Sequence, residues 1–134
     1  MKKLLLLSLA ILGFTSFTNA QTYCTTGLYT TGCSDGDNID DFTLGAFSHL
    51  GTGCSGGGYN NYTSMNITIT QNIPQNLTVS STYANGGESL KLWIDFNADG
   101  DFNDAGENIY TSSSAFGGPT DLTDVITIPD TTPV

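Results

Sequence analysis

The sequence is poor in basic side chains: lysine and arginine total three against thirteen aspartates and glutamates, for a formal net charge of −10. Lys2 and Lys3 stand at the N-terminus, so Lys91 is the single basic residue beyond it. A surface with so few cations repels phosphate backbones and anionic lipid headgroups. The composition therefore argues against nucleic acid as a partner and favours cations.

Residues for catalysis are also scarce. His49 is the one histidine, so a serine–histidine–aspartate arrangement would depend on it alone. Glu88 and Glu107 are the two glutamates, and nothing in the sequence places a second carboxyl opposite either as an acid–base pair. Cys54 lies near His49, but a disulfide is the expected state of a cysteine in an exported chain. We predict no catalytic residue in this chain.

A continuous apolar run occurs at the N-terminus and has the layout of a secretory signal. Residues 1–20 place Lys2 and Lys3 before an apolar stretch from Leu4 to Phe17 and end in small residues at Ala20. The alternative is a single N-terminal anchor helix, although the run is short for a membrane span. We predict a signal peptide over 1–20, one domain over 21–134 and a secreted or cell-surface location with no membrane insertion after cleavage.

The rest of the chain lacks helical periodicity and is rich in threonine, serine, asparagine and glycine. Apolar residues recur at every second position in four runs: 65–70, 77–83, 89–96 and 125–129. Period-two runs separated by turn residues, as in "QNIPQN" and "ANGGES", are typical of strands. The predicted fold is all-β, an antiparallel β-sandwich of jelly-roll-like type.

Cysteine is present three times, at Cys24, Cys33 and Cys54. Their spacings fit no zinc pattern, and an exported chain favours disulfides. Three is an odd number, so one partner is missing or one thiol is free. The spacing alone leaves the pairing open.

An acidic stretch, "WIDFNADGDFNDAGE", follows the third strand candidate at residues 93–107. Counting from Asp95, oxygen-bearing residues occupy positions one, three and five, and Gly100 occupies position six. This matches the first half of a calcium loop, in which alternate side chains converge on one point and glycine permits the sharp turn. Crowded carboxylates repel one another, and a divalent cation removes that cost.

The second half of the stretch departs from the helical calcium loop. Position twelve is Gly106, Glu107 follows it, and a strand rather than a helix precedes the loop. We predict a Ca²⁺ loop between two strands, with Asp104 or Glu107 completing the shell. The predicted ligands are Asp95, Asn97, Asp99, Asp101, Asp104 and Glu107. The alternative is a solvated hairpin whose Asp and Asn side chains only cap turns.

Four aromatic residues, Tyr59, Tyr62, Trp93 and Phe96, could form a platform for sugar stacking. The alternation directs Phe96 to the core and Trp93 to the opposite face. An exposed Trp93 would be a candidate ligand contact, whereas a covered one would be ordinary packing, and we favour packing.

The segments "LWIDFNADGDFNDAGE" and "ITIPDTTPV", with "FTLGAFSHLGTGCSGGGYNNYTSM" before them, closely resemble the GEVED domain of secreted bacterial proteins. The similarity extends from about Tyr23 to Val134. The resemblance implies a non-catalytic β-sandwich module of a multidomain exported protein, found beside peptidases, adhesion modules and sorting segments. The implied partners are an extracellular glycan or protein and other domains of the same polypeptide.

One departure from the family pattern concerns its Gly-Glu-Val-Glu-Asp-Tyr signature, which this sequence does not reach. The resemblance implies that a cysteine near that signature pairs with Cys24, which leaves Cys33–Cys54 as a local disulfide. The expected function is a calcium-stabilised accessory or adhesion module. The alternative is an accessory domain of a secreted hydrolase, a peptidase, whose catalytic domain lies outside this sequence.

Overall fold

The computed structural model describes residues 33, 36, 38–54, 58–82, 87–118 and 120–130. The strands are β1 Ile39–Leu44, β2 Phe47–His49, β3 Pro74–Ser81, β4 Lys91–Trp93, β5 Asn108–Thr111 and β6 Leu122–Thr127. They form a four-stranded sheet in the order β2-β1-β3-β6 and a two-stranded sheet, β4-β5, and every pair is antiparallel. The predicted all-β, antiparallel class is confirmed. The jelly-roll-like sandwich stays a prediction, and the predicted signal peptide and Cys24 lie outside the described residues.

The core is built from the inward positions of β1, β3 and β6. Leu77 and Val79, two residues apart on β3, are fully buried, as the alternation predicts. The strands predicted at 77–83 and 125–129 correspond to β3 and β6. The other buried apolar residues are Leu44, Leu90, Phe116, Leu122, Ile126 and Ile128. Side chains of β4 and β5 pack on the same cluster, so both sheets share one described core.

The β1–β2 hairpin is a structural element that we did not predict. Leu44 pairs with Phe47, which leaves Gly45 and Ala46 as a two-residue turn. Gly45 has φ +58°, as the first central position of a II′ turn requires. A Cβ atom at Gly45 would contact the end of the Gln75 side chain, which would have to move, so the positive φ is the main reason for glycine here.

The strand predicted over 65–70 is wrong, because this segment has no regular strand structure. Ile69 packs against the core, but Ile67 is 47% exposed. Alternation indicates which side chains face inward, whereas a strand also needs a free sheet edge to pair with. Within the part of the chain described, no helix has the length and apolar character to span a membrane.

A hydrogen bond joins the two sheets. The Tyr110 hydroxyl on β5 donates to Asp124 Oδ2 on β6 at 2.9 Å. Burial raises the pKa of Tyr110 above its ordinary value of 10.0, and the hydrogen bond and the charge of Asp124 raise it further. Because the folded-state pKa is the higher one, the contribution to stability is complete below pH 10.0 and is lost as the pH rises through the folded-state pKa.

Tyr110→Phe tests this bond. We expect the free energy of unfolding at pH 7 to fall by about 1 kcal/mol, the usual contribution of such a bond. We also expect the decline of stability above pH 10 to become shallower. Urea unfolding at pH 7 to 11 measures both, with Tyr62→Phe as the control that removes a hydroxyl elsewhere. Parallel pH profiles for Tyr110→Phe and the original chain would contradict the assignment.

Candidate functional site

The acidic loop lies between β4 and β5 and is closed by a backbone hydrogen bond. The Ile94 N–H donates to the Glu107 carbonyl at 2.9 Å, directly beyond the last residue of β4. Residues 95–106 therefore form the tip of a hairpin whose base is Ile94 and Glu107. The alternation of Leu90, Leu92 and Ile94 into the core fixes the direction in which the chain enters the loop.

Asp95 organises the first turn of the loop. Its Oδ1 accepts the Asp99 N–H at 3.3 Å, and its Oδ2 accepts the Gly100 N–H at 3.0 Å. Gly100 has φ +95°, a left-handed conformation that favours glycine. The need for glycine at position six, which the motif predicts, is therefore met in the structure.

Three of the predicted ligands converge in the middle of the loop. The Asn97 amide nitrogen donates to Asp99 Oδ2 at 2.9 Å and to Asp104 Oδ2 at 2.5 Å. The two carboxylates thus accept hydrogen bonds from the same amide group. The partially positive N–H hydrogens of that amide lie between the two negative charges. Asp99 and Asp104 are exposed at their outer sides, and Asn97 is half-buried. The arrangement concentrates negative charge around a single polar centre.

Asp101 has a different set of contacts. Its Oδ1 accepts the Asn103 N–H at 2.8 Å, as an aspartate does when it caps a turn. The residue is exposed. In helical calcium loops position seven binds through its backbone carbonyl, so a turn-capping side chain at this position is compatible with the predicted ligand set.

Glu107 is the most unusual residue of the loop. It is 2% exposed and is the one buried charged or polar residue among those described. Its Oε2 accepts the Asp104 N–H at 3.2 Å, which directs the carboxylate toward the loop. Its Oε1 is buried without a hydrogen-bond partner. An unsatisfied buried carboxylate oxygen is costly, and the cost is removed when a cation or a donor reaches it.

A bound cation would require several oxygen ligands gathered around one point of the loop. Among the described residues, no group of three or more His, Cys, Asp or Glu side chains is gathered in a way that could hold a metal ion. The converging set instead includes the Asn97 amide between two carboxylates. Carboxylate oxygens are the ligand type of a hard cation, but the Asn97 amide presents its nitrogen to Asp99 and Asp104, while its oxygen accepts the Asp99 N–H. The buried, unpartnered Glu107 oxygen supplies an additional acceptor at the same loop.

The four aromatic residues considered for sugar stacking differ in exposure and contacts. Phe96 packs against the core, as the alternation predicts. Trp93 lies on β4 and is 44% exposed, with Lys91 Nζ 5.9 Å from its ring centroid. The preference for a covered Trp93 is therefore not met. Tyr62 precedes β3 and forms a T-shaped contact with His49, with ring centroids 4.5 Å apart.

A second candidate site, which the sequence did not indicate, is a half-open apolar cavity of about 350 Å³. It is lined by residues of β1, β2 and the following loop, including Phe42, Phe47, His49, Cys54, Tyr62, Met65 and Ile67. The Cys33–Cys54 disulfide borders it, with the two Cα atoms 5.5 Å apart, so the pairing implied by the resemblance is confirmed. Asp40 and Asp41 bind the backbone of residues 51–53 next to this bridge.

Comparison with known proteins identifies a family over the C-terminal part of the chain. Residues 89–134 match the family model described as the GEVED domain. The match contains the whole acidic loop and β4 to β6, and it confirms the resemblance over a shorter range than Tyr23 to Val134. No curated protein and no solved structure matches the chain.

Proposed function

We propose that the chain is a calcium-stabilised accessory module of an exported bacterial protein. Residues 89–134 belong to the GEVED domain family, whose members are accessory and not catalytic. The module is proposed to fold as a jelly-roll-like sandwich behind the signal peptide predicted over 1–20. The acidic loop, at which we propose the ion, lies inside the matched region.

The observation that carries the calcium proposal is the buried Glu107 oxygen without a partner, on a carboxylate whose other oxygen accepts the Asp104 N–H of the loop. The ion would be held by side-chain oxygens of Asp95, Asn97, Asp99, Asp104 and Glu107. Asp101 would contribute its backbone carbonyl, as position seven does in helical calcium loops. Ca²⁺ takes six to eight oxygen ligands and tolerates irregular geometry. When bound, it supplies the positive charge that this loop otherwise lacks.

The proposed role of the ion is structural. A neutralised loop would keep β4 and β5 in place and leave the exposed surfaces of the module available to an extracellular glycan, a protein or a neighbouring domain. The strongly acidic composition, a formal net charge of −10, supports cations as ligands and argues against polyanions as partners. The module would then act in adhesion or as a spacer for other domains of the polypeptide.

Titration calorimetry with Ca²⁺ and thermal unfolding with and without a chelator test the calcium proposal. We expect a binding heat, and a stabilisation of about 2.7 kcal/mol when free Ca²⁺ is 100 times its Kd. Mg²⁺ should bind more weakly because it demands near-octahedral geometry. The double variant Asp95→Asn with Asp99→Asn is the matched control and should bind no Ca²⁺. Absence of heat, together with an unchanged melting temperature in chelator, would rule the proposal out.

A further inference from the structure

We infer that Glu107 couples cation binding to the pairing of β4 and β5, so that the ion controls the order of the two-stranded sheet and of the surface around Trp93. This inference rests on the proposed calcium function and adds a consequence that follows from the position of Glu107 in the hairpin. In this view Glu107 is both a ligand and the structural link between the loop and the strand.

The backbone of Glu107 belongs to the loop and to the sheet at once. Its N–H donates to the Asp104 carbonyl at 3.2 Å, within the loop. Its carbonyl accepts the Ile94 N–H at 2.9 Å, across the hairpin. Any interaction that holds Glu107 in place therefore also stabilises the Ile94–Glu107 hydrogen bond that closes the hairpin.

The side chain of Glu107 stabilises this position only when its second oxygen, Oε1, also has a partner. Oε2 is held by the Asp104 N–H, and Oε1 is buried and unsatisfied. Without a cation, the folded hairpin bears the cost of a desolvated carboxylate, which favours states in which Glu107 reaches water. With a cation at the loop, the same burial becomes favourable. Cation binding and the closed hairpin then stabilise each other by thermodynamic linkage.

The two-stranded sheet is sensitive to such a linkage because it is short. Its register consists of Lys91↔Thr111, Leu92↔Tyr110 and Trp93↔Asn108, with an irregularity between Leu92 and Trp93. Isolated two-stranded ladders are marginally stable in water, so the pairing needs support from the core and from the loop. The irregularity lies at the end of the ladder next to Glu107, where the support of the ion would act.

Trp93 reports on this end of the sheet. It is the one tryptophan of the chain, and it pairs with Asn108, the residue after Glu107. Because its ring is 44% exposed and lies near Lys91, its emission depends on how β4 is held. Ca²⁺ should therefore change the fluorescence of Trp93 in the full chain, although Trp93 is not a proposed ligand.

The test compares Glu107→Gln with Glu88→Gln, which removes the same charge outside the loop. We expect Glu107→Gln to weaken Ca²⁺ binding at least tenfold and to abolish the Ca²⁺-dependent change in Trp93 emission, and Glu88→Gln to leave both intact. Unchanged affinity in Glu107→Gln would overturn the inference and remove Glu107 from the proposed ligands, whereas the binding heat of the original chain would still support Ca²⁺ binding by the other residues. If the original chain binds no Ca²⁺, the calcium proposal fails, and this inference fails with it.

Hydrogen exchange on the original chain gives an answer even if Glu107→Gln does not fold. We expect Ca²⁺ to slow the exchange of the Ile94 amide at least tenfold and to leave the amides of β3 nearly unchanged, because the linkage acts on the hairpin. Equal protection of Ile94 with Ca²⁺ and with chelator, in a chain that binds Ca²⁺, would overturn the coupling.

Discussion

Leu77→Ala is expected to lower the free energy of unfolding by about 3 to 4 kcal/mol, within the range measured for large-to-small changes in cores. Leu77 is 0% exposed and lies on β3, which pairs with β1 on one side and β6 on the other. The lost side chain leaves a cavity that neighbouring strands, fixed by their hydrogen bonds, cannot fill. Such a loss is a large part of the stability of a domain of this size.

Urea unfolding followed by circular dichroism measures this loss. Val125→Ala on β6 is the control: Val125 is 60% exposed, so its truncation should change the free energy of unfolding by less than about 0.5 kcal/mol. Similar losses for the two variants would show that β3 is not the centre of the core. A smaller loss for Leu77→Ala than for Val125→Ala would contradict the fold described here.

Removal of the Cys33–Cys54 bridge, by changing both residues to alanine, is expected to cost about 3 kcal/mol. The bridge spans a sequence separation of 21 residues and ties the start of the described chain to the loop after β2. Without it, the unfolded chain gains conformational freedom. That loop would still be tied to β1 by hydrogen bonds from the Gly51 and Gly53 N–H groups to the Asp41 and Asp40 carboxylates, and from Thr52 to β1 carbonyls.

Thermal and urea unfolding of the double alanine variant measure this effect. Cys24→Ala is the control, because it removes the third cysteine and leaves the Cys33–Cys54 bridge in place. We expect the Cys24→Ala variant to keep the stability that the Cys33–Cys54 bridge contributes. Reduction of that variant should lower its free energy of unfolding as much as the double alanine change does. A double variant as stable as the control would show that the bridge contributes nothing to the folded state.

The acidic loop shows which parts of a site can be predicted from the sequence. Asp95, Asn97, Asp99 and Gly100 lie close together along the chain, so a single turn determines their contacts. The positive φ of Gly100 agrees with the sharp turn that the motif predicts. The Asp99 and Gly100 N–H groups donate to the Asp95 carboxylate, as expected of the alternative hairpin whose acidic side chains cap turns. The motif could not predict that the Asn97 amide lies between Asp99 and Asp104, because that contact depends on where the loop returns.

The strands show the corresponding limit. The alternation predicted β3, β4 and β6 because their buried faces have a period of two. It failed at 65–70, where alternating residues have no regular strand structure. It also missed β1 and β2, although the Gly-Ala pair between two apolar runs is a hairpin signal. Pairing depends on a partner strand many residues away, and the local pattern does not contain that information.

The sequence by itself determined the all-β class, the acidic character and the spacing of the loop oxygens, because each is set by composition or by neighbours within one turn. The tertiary structure alone decided that Glu107 is buried and that Trp93 is exposed. Burial of Glu107 requires the loop to return to Ile94 and both strands to pack on the shared core. A carboxylate at a loop end is ordinarily solvated, and only long-range packing removes its water and leaves Oε1 of Glu107 without a hydrogen-bond partner.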